Sequence, residues 1–217
     1  MKYNKQTALF KLLAILSAYC MLLLAFRIWM TGTVFYGFLV WNLFLAYIPF
    51  AIGSIIIFKM PKKPVALLLL FIWLLFLPNA PYIITDIFHL KQQKLMPEWF
   101  DLLLVISFAI NGLLLFFLSV RDVYTILLKH FSSTKTTIIT LCIFFLTGFG
   151  VYLGRFLRFN SWDMLTNPKQ LLFEIAEHIF QPVLHPRAWG FTLGFGTLLL
   201  VSFFIFKTIN FKEERIQ

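Results

Sequence analysis

The most informative shortage in this sequence is charge. Only 13% of its 217 residues are Asp, Glu, Lys or Arg, whereas 60% are hydrophobic. Ordinary globular domains hold about 25% charged residues. So few charges cannot cover a surface that faces water, and this excludes a soluble protein. Intrinsic disorder is excluded as well, because it requires low hydrophobicity.

Cysteine and catalytic motifs are also scarce. The two cysteines, Cys20 and Cys142, each lie in a long apolar run, so the sequence contains no disulfide framework. It has no Walker loop, no Rossmann glycine pattern, no Gly-x-Ser-x-Gly elbow and no His-Glu-x-x-His string. Nucleotide-driven and serine-hydrolase chemistry therefore have no recognisable motif here, and the cofactor, if there is one, is unknown.

Long apolar runs are what the sequence has instead. A helix needs about 20 residues to cross a bilayer core about 30 Å thick. We predict an all-α polytopic membrane protein, with residues 1–217 forming a single transmembrane domain. The six predicted spans are approximately 8–30, 34–58, 64–85, 99–120, 136–154 and 188–206, with an outer interfacial segment at 155–187.

The Lys and Arg residues divide unequally between alternate loops. Of the 19, twelve fall on the side that holds both termini, and the other seven are Arg27, Lys91, Lys94, Arg155, Arg158, Lys169 and Arg187. Basic residues are retained on the cytoplasmic side. We therefore predict a bacterial inner-membrane protein with both termini in the cytoplasm. The same asymmetry explains the net charge of +10, so that charge is no indication of nucleic-acid binding.

The third apolar run is interrupted. From Val65 to Leu77 it is continuous, but as a helix this stretch reaches only about 20 Å. Pro78-Asn79-Ala80-Pro81-Tyr82 follows, and its two prolines remove backbone donors and disfavour helix before them. Irregular backbone inside a membrane needs protein or water to satisfy its polar groups. We predict a third helix broken at Pro78 to Pro81 and a pocket at the break, where Asn79 supplies a donor and an acceptor.

Asp86 and His89 come directly after the break. They are three residues apart, so they share one face of any helix that follows. A carboxylate beside an imidazole can support proton transfer, or both can ligate a metal. Alternatively, two polar residues simply mark where the chain leaves the membrane. Both interpretations stay open on the sequence.

Pairs of glycines four residues apart end the fifth span and begin the sixth. They are Gly150 with Gly154 and Gly190 with Gly194. Such pairs allow helix backbones to approach closely in a membrane. Both pairs fall at the same end of antiparallel spans, so we expect the two helices to touch there, although the motif is common by chance.

Arg155 and Arg158 close the fifth span at helical spacing. Two guanidinium groups on one face can clamp a phosphate or a carboxylate. The alternative is that they anchor the helix end to lipid phosphates or to Asp163. Asn160 and Trp162, which follow, are typical of a turn with an interfacial tryptophan.

An amphipathic pattern occupies residues 168–181. Its apolar residues recur at helical spacing: Leu171, Leu172, Ile175, Ile179 and Phe180. We predict an amphipathic helix on the outer surface, between the fifth and sixth spans. Its polar side carries Glu174, Glu177 and His178. Glu174 and His178 are the weak candidates for a metal site, but we interpret them as the wet side of the helix and predict no metal.

Two strings carry a family resemblance: LPNAPYIITDIFHL at 77–90 and YLGRFLRFNSWD at 152–163. They resemble the bacterial membrane-protein family catalogued as domain of unknown function 1361. The resemblance covers most of the chain and implies a multi-span inner-membrane protein. It supplies no catalytic residue.

These features combine into one functional hypothesis. We expect a pocket in the outer leaflet, bounded by the broken helix and by residues 155–163, to bind or process an anionic envelope lipid or a lipid-linked precursor. Membrane lipids are then the principal partner. The residues expected to hold the anionic head are Arg155, Arg158, Asn79, Tyr82, Asn160 and Trp162.

Catalysis is left open by the sequence. If a reaction occurs, Asp86, His89 and Asp163 are the candidates for general acid or base. Two alternatives belong to other functional classes. A small-solute carrier or lipid flippase would use the break as a gate, and a structural subunit would bind another membrane protein through its glycine and phenylalanine faces.

The predicted orientation can be tested by labelling. A cysteine introduced at position 163 should react with a membrane-impermeant maleimide added outside intact cells, because that segment is predicted to face outward. Labelling at this position only from the cytoplasmic side would contradict the orientation and the outer pocket together.

Overall fold

The computed structural model describes residues 2–90 and 95–215, and the side chains of 8–90 and 95–209. The chain is 88% helical, with no strand in the described residues, which confirms the all-α fold. The charge count used for orientation depends partly on Lys91 and Lys94, which lie outside the described residues.

Nine α-helices follow one another along the described parts of the chain. They are α1 (Lys2–Thr31), α2 (Phe38–Lys59), α3 (Lys63–Phe76), α4 (Asn79–Tyr82), α5 (Glu98–His130), α6 (Ser133–Phe156), α7 (Asp163–Thr166), α8 (Pro168–Phe180) and α9 (Pro186–Arg215). Short 3₁₀ segments occupy Phe35–Gly37, Ile83–His89 and Pro182–Leu184. Six stretches are long and apolar enough to cross a membrane, as predicted.

Local residue chemistry sets several helix ends. Gly32, with φ of 65°, turns the chain out of α1, a conformation that glycine adopts without steric cost. Its N–H donates to the Ile28 carbonyl at 2.8 Å. At the start of α6, the Ser132 hydroxyl accepts from the Lys135 N–H and caps the helix.

The fourth predicted span was too short. We expected it to end at Val120, but α5 continues to His130 and reaches about 50 Å over its 33 residues. Arg121 and Asp122 lie within this helix and pair with each other at 3.0 Å. Helix α5 is the most buried of the six spans and packs against α1, α2 and the broken third span. It is therefore the central helix of the bundle.

The predicted break in the third span is present. Helix α3 stops at Phe76, and after Leu77 and Pro78 the chain forms the short α4 and then a 3₁₀ segment through His89. Helix α6 ends at this same end, and α7 and α8 follow there. We call this end of the bundle the break end, defined by residues 77–89, 153–180 and the first turn of α9.

Glycine contacts differ from the predicted pairing. Helices α6 and α9 do pack closely, but a Cβ on Gly190 or Gly194 would meet nothing within 4 Å. The close approach occurs instead at Gly148 and Gly196, where a Cβ on Gly148 would lie 2.8 Å from the Thr192 carbonyl oxygen. The expected partners were wrong because helical spacing alone does not say which face meets the neighbour.

Gly150 and Gly154 face the break rather than α9. A Cβ on Gly150 would lie 2.5 Å from Pro78 Cγ, and one on Gly154 would lie 3.2 Å from the Tyr82 ring. From the other side, a Cβ on Gly112 of α5 would lie 2.5 Å from the Ala80 carbonyl oxygen. The broken segment is thus held between glycine surfaces of α5 and α6.

The predicted amphipathic helix is α8, at Pro168–Phe180. One correction concerns His178, which we expected on its wet side but which is buried. Leu171 and His178 face inward, seven residues apart and so on one face of the helix. Phe173 and Phe180 remain exposed.

Substitution at Gly148 should therefore weaken the contact between α6 and α9. We expect Gly148→Ala to lower the free energy of unfolding by about 1–3 kcal/mol, the usual cost of overpacking. Gly194→Ala, in the same helix pair but with open space around it, should leave stability unchanged or slightly raised. Thermal unfolding in detergent can be followed through the buried thiol of Cys20, after Cys142 is replaced by Ser. Equal effects of the two substitutions would contradict this packing.

Candidate functional site

A cavity of about 200 Å³ lies at the helix break. We call it the break pocket. Its wall is formed by α2, the broken third span, α6, the segment after α6, and α8. The polar residues in the wall are Asn42, Asn79, Tyr82, Asn160 and Ser161, and apolar side chains such as Leu45, Leu153 and Ile175 form the rest. A pocket at this place is what the sequence predicted from the two prolines.

Backbone carbonyls freed by the break find donors in side chains. Asn79 Nδ2 donates to the Phe76 carbonyl at 2.9 Å, and Ser161 Oγ donates to the Leu75 carbonyl at 3.0 Å. Asn79 Nδ2 also donates to Ser161 Oγ at 2.8 Å. Residues far apart in sequence thus hold the break and the segment after α6 together, and they satisfy groups that lipid could not.

A buried ion pair lies beside the pocket. Arg155 Nη2 of α6 binds Asp86 Oδ1 of the 3₁₀ segment, and Asp86 is only 1% exposed. The other carboxylate oxygen of Asp86 accepts from Asn42 Nδ2 at 2.9 Å. Because Asn42 also lines the pocket, it connects the pocket wall to the ion pair.

All three guanidinium nitrogens of Arg155 are engaged. Nε donates to Thr85 Oγ1 at 2.7 Å, and Nη1 lies 2.9 Å from His89 Nε2. The guanidinium also lies over the Tyr82 ring, with its carbon 4.6 Å from the centroid. A guanidinium has only donors, so His89 Nε2 accepts in this contact. Arg155 therefore links α6 to the 3₁₀ segment.

These contacts bear on three predicted roles. Arg155 was expected to hold an anion, and each of its three nitrogens already contacts Asp86, Thr85 or His89. Asp86 and His89 both contact Arg155. Since His89 Nε2 accepts from Arg155 and Asp86 is buried, neither group reaches the cavity as a base in this conformation.

The remaining predicted residues lie in the segment after α6. Arg158, with φ of 63°, is exposed and has no hydrogen bond or ion pair within residues 8–90 and 95–209. It is near enough to Tyr82 for its charge to act there. Asp163 accepts from the Asn160 N–H at 2.6 Å and from the Thr166 hydroxyl at 2.9 Å, so it caps its own turn rather than joining Asp86.

Aromatic rings stand at the mouth of the pocket. Trp162 lies edge-on to Trp41 with ring centroids 6.0 Å apart, and Trp41 both lines the pocket and is exposed. Tryptophan prefers the headgroup level of a bilayer. The two indoles thus indicate the depth at which the pocket opens.

A second buried ion pair, which the sequence analysis missed, ties α1 to α5. Arg27 donates through Nε and Nη2 to the two carboxylate oxygens of Asp101 at 2.7 and 3.2 Å. Its guanidinium lies over the Tyr36 ring, whose hydroxyl approaches the His89 carbonyl oxygen at 3.5 Å. The only signal in the sequence was an arginine in the last turns of one span and an aspartate at the start of another.

Glu174 and His178 do not form a metal site in the described residues. There, no group of three or more His, Cys, Asp and Glu side chains is arranged to hold a metal ion. His178 Nδ1 instead contacts the Glu174 carbonyl oxygen at 2.8 Å, and its ring stacks on that of His185 with centroids 3.9 Å apart. These histidines fasten α8 to the start of α9.

Trp41 and Ser161 are further residues of the site that the sequence did not assign. Asn42, a polar residue within the second span, was open on the sequence to two interpretations, an interhelical hydrogen bond or part of the cavity predicted at Asn79. Its role depends on Asp86, which lies 44 residues away, and no local pattern reveals that contact.

Comparison with known proteins shows which family the chain resembles. The model of a family described as "Protein of unknown function (DUF1361)" matches residues 41–202. The match includes both strings that carried the resemblance. No curated protein and no solved structure matches the chain.

The ion pair between Asp86 and Arg155 should dominate the stability of the break end. Removing one partner of a buried pair leaves an uncompensated charge and typically costs about 3–5 kcal/mol. We expect Asp86→Asn and Arg155→Gln each to destabilise by about that amount, and the double variant by clearly less than the sum. Thermal unfolding of the four proteins in detergent measures this coupling.

Asp163→Asn is the matched control, because Asp163 makes no hydrogen bond or ion pair with Asp86 or Arg155 and asparagine keeps an acceptor oxygen for the Asn160 N–H. It should change stability by less than about 1 kcal/mol. Additive effects of Asp86→Asn and Arg155→Gln would show that the two side chains do not interact.

Proposed function

Because this chain belongs to the DUF1361 family of proteins of unknown function, we propose a function from the geometry of the break pocket. The protein binds the headgroup of an anionic membrane lipid, or of a lipid-linked precursor, in that pocket. The observation that carries the proposal is a partly polar cavity at a helix break, open beside exposed apolar surface. Arg158, whose charge reaches Tyr82 in the wall, has no partner side chain within residues 8–90 and 95–209.

The surroundings of the pocket suit a lipid. Leu171 and Ile175 of α8 line the cavity, whereas Phe173 and Phe180 of the same helix are exposed. An exposed apolar face on an amphipathic helix is suited to the boundary between headgroups and acyl chains. A lipid there can place its head in the pocket and leave its chains in the bilayer.

Arg158 is the residue suited to the anionic group. Its guanidinium is exposed and makes no ion pair within residues 8–90 and 95–209, whereas the charge of Arg155 is balanced by Asp86. One cation near a membrane surface contributes about 1 kcal/mol toward an anionic lipid. The predicted clamp of two arginines is thereby reduced to one.

Binding is better supported than processing. Asp86 is buried behind Asn42, His89 Nε2 accepts from Arg155, and Asp163 caps a turn. These contacts position the walls of the pocket. A general base must reach the proton that it removes, and none of the three does so from here.

Packing below the pocket favours a binding site over a carrier. Trp73, one turn before the break, is buried and donates to Ser119 Oγ at 2.7 Å, which donates in turn to the Pro49 carbonyl at 2.8 Å. Phe116 and Phe144 pack edge to face in the same layer of the bundle. This layer joins α2, α3, α5 and α6.

We further propose that the break end faces outward, as the Lys and Arg count predicts.

Filling the pocket should abolish lipid binding. Met164 lines the cavity, so Met164→Trp would occupy it, whereas Leu165 is 85% exposed and Leu165→Trp is the matched control. We expect retention of added phosphatidylglycerol, measured by native mass spectrometry in mild detergent, to fall at least roughly fivefold for Met164→Trp, a loss of about 1 kcal/mol. The control should bind as the unchanged protein does.

A charge variant completes the experiment. Arg158→Gln should weaken phosphatidylglycerol retention by roughly fivefold, whereas Arg187→Gln, an exposed arginine at the start of α9 that does not line the pocket, should not. If Met164→Trp leaves phosphatidylglycerol retention unchanged, the proposal is overturned. Flux of a solute across proteoliposomes would instead support a carrier.

A further inference from the structure

We infer that the group seated in the break pocket is an uncharged, hydroxyl-rich ring, of the chemical class of a sugar or a cyclitol, linked to its lipid through a phosphate that remains outside near Arg158. This inference rests on the proposed lipid-binding function. It adds the chemistry that selects one headgroup over another.

The walls of the pocket carry no net charge. None of the described side chains that line it is Asp, Glu, Lys, Arg or His. The nearest charged groups, Asp86 and Arg155, bind each other behind the wall. A pocket built for a bare phosphate would place a guanidinium or an ammonium group inside it.

Several polar groups in the wall have no partner within residues 8–90 and 95–209. Asn79 uses Nδ2 for Phe76 and Ser161, but its Oδ1 has no hydrogen bond. Asn42 uses one N–H for Asp86, which leaves Oδ1 uncommitted. The Tyr82 hydroxyl and the Asn160 side chain also make no hydrogen bond in these residues.

The uncommitted Oδ1 atoms of Asn42 and Asn79 can accept hydrogen bonds but cannot donate them. Amide oxygens only accept hydrogen bonds, so they repel the oxygens of a phosphate and favour a partner that donates. A hydroxyl both donates and accepts. A ring with several hydroxyls can therefore satisfy Asn42, Asn79, Asn160 and Tyr82 together, whereas a phosphate cannot.

The apolar part of the wall fits the same class of ligand. A sugar or cyclitol has a polar rim but presents C–H groups on its two faces. Trp41 offers an exposed indole, and the negative face of an aromatic ring attracts such C–H groups. Leu45 and Leu153 supply further apolar contact.

The size of the pocket limits the ligand to one small group. The volume of the pocket is about 200 Å³. That is small beside the cavities of about 300–1,000 Å³ that enclose drug-sized ligands. A single ring is of the right scale, and the acyl chains must lie outside.

Two anionic lipids, one with a ring on its phosphate and one without, test this inference. Phosphatidic acid, a phosphomonoester, carries at least as much negative charge as phosphatidylinositol, so charge alone does not favour phosphatidylinositol. Phosphatidylinositol carries a hydroxylated ring on its phosphate, and phosphatidic acid with the same acyl chains carries none. We expect native mass spectrometry of the full chain, in a detergent without a sugar head, to show phosphatidylinositol retained roughly fivefold or more over phosphatidic acid.

Tyr82→Phe should lower phosphatidylinositol retention by roughly two- to tenfold, the usual effect of one hydrogen bond, and leave phosphatidic acid unchanged. This variant removes no contact between described residues, because the ring under Arg155 is kept. Tyr152→Phe is the matched control, since Tyr152 lies on α6 outside the pocket. It should change neither lipid.

The outcomes separate the two proposals. Equal retention of the two lipids, or an equal effect of Tyr82→Phe on both, would overturn the hydroxyl-rich ring while sensitivity to Met164→Trp keeps the lipid-binding function. If neither lipid responds to Met164→Trp, the proposed function fails and this inference fails with it.

Discussion

The break end depends on a single constraint: a carbonyl group freed inside a membrane must find a donor in the protein, because lipid offers none. Pro78 and Pro81 carry no N–H and interrupt the helical hydrogen bonding of the third span. At the break, the Leu75 and Phe76 carbonyls accept from the Ser161 and Asn79 side chains instead. The segment after α6 must therefore fold back over the break, where it forms part of the wall of the break pocket.

Close packing at the break needs small residues on the neighbouring helices. Gly112, Gly150 and Gly154 leave no side chain between α5 or α6 and the broken segment, where Ala80, Pro78 and Tyr82 approach them. Once the helices are this close, Arg155 reaches Asp86, Thr85 and His89 together. The ion pair is stable in this apolar setting because further hydrogen bonds satisfy both partners.

The sequence predicted those parts of the structure that depend on local chemistry. Six spans follow from apolar length, the break follows from two prolines, and α8 follows from helical spacing of apolar residues. Contacts between distant residues were not predictable. The apolar pattern predicts the position of Arg155 or Gly150 along a helix, but it does not predict which neighbouring helix that residue contacts. The same ambiguity hid the pairs formed by Arg27 with Asp101 and by Asn42 with Asp86.

The way in which this protein arranges its charges supports the proposal that its cavity recognises a headgroup. Asp86 and Arg155 neutralise each other and fix the walls, so the ionisable groups nearest the cavity stabilise the fold. The wall of the cavity is then made of amide and hydroxyl groups, one tryptophan ring and apolar side chains. Neutral hydrogen-bonding groups discriminate between headgroups by shape and by the direction of donation. Because every phospholipid carries a negatively charged phosphate, attraction to that phosphate alone distinguishes these lipids poorly.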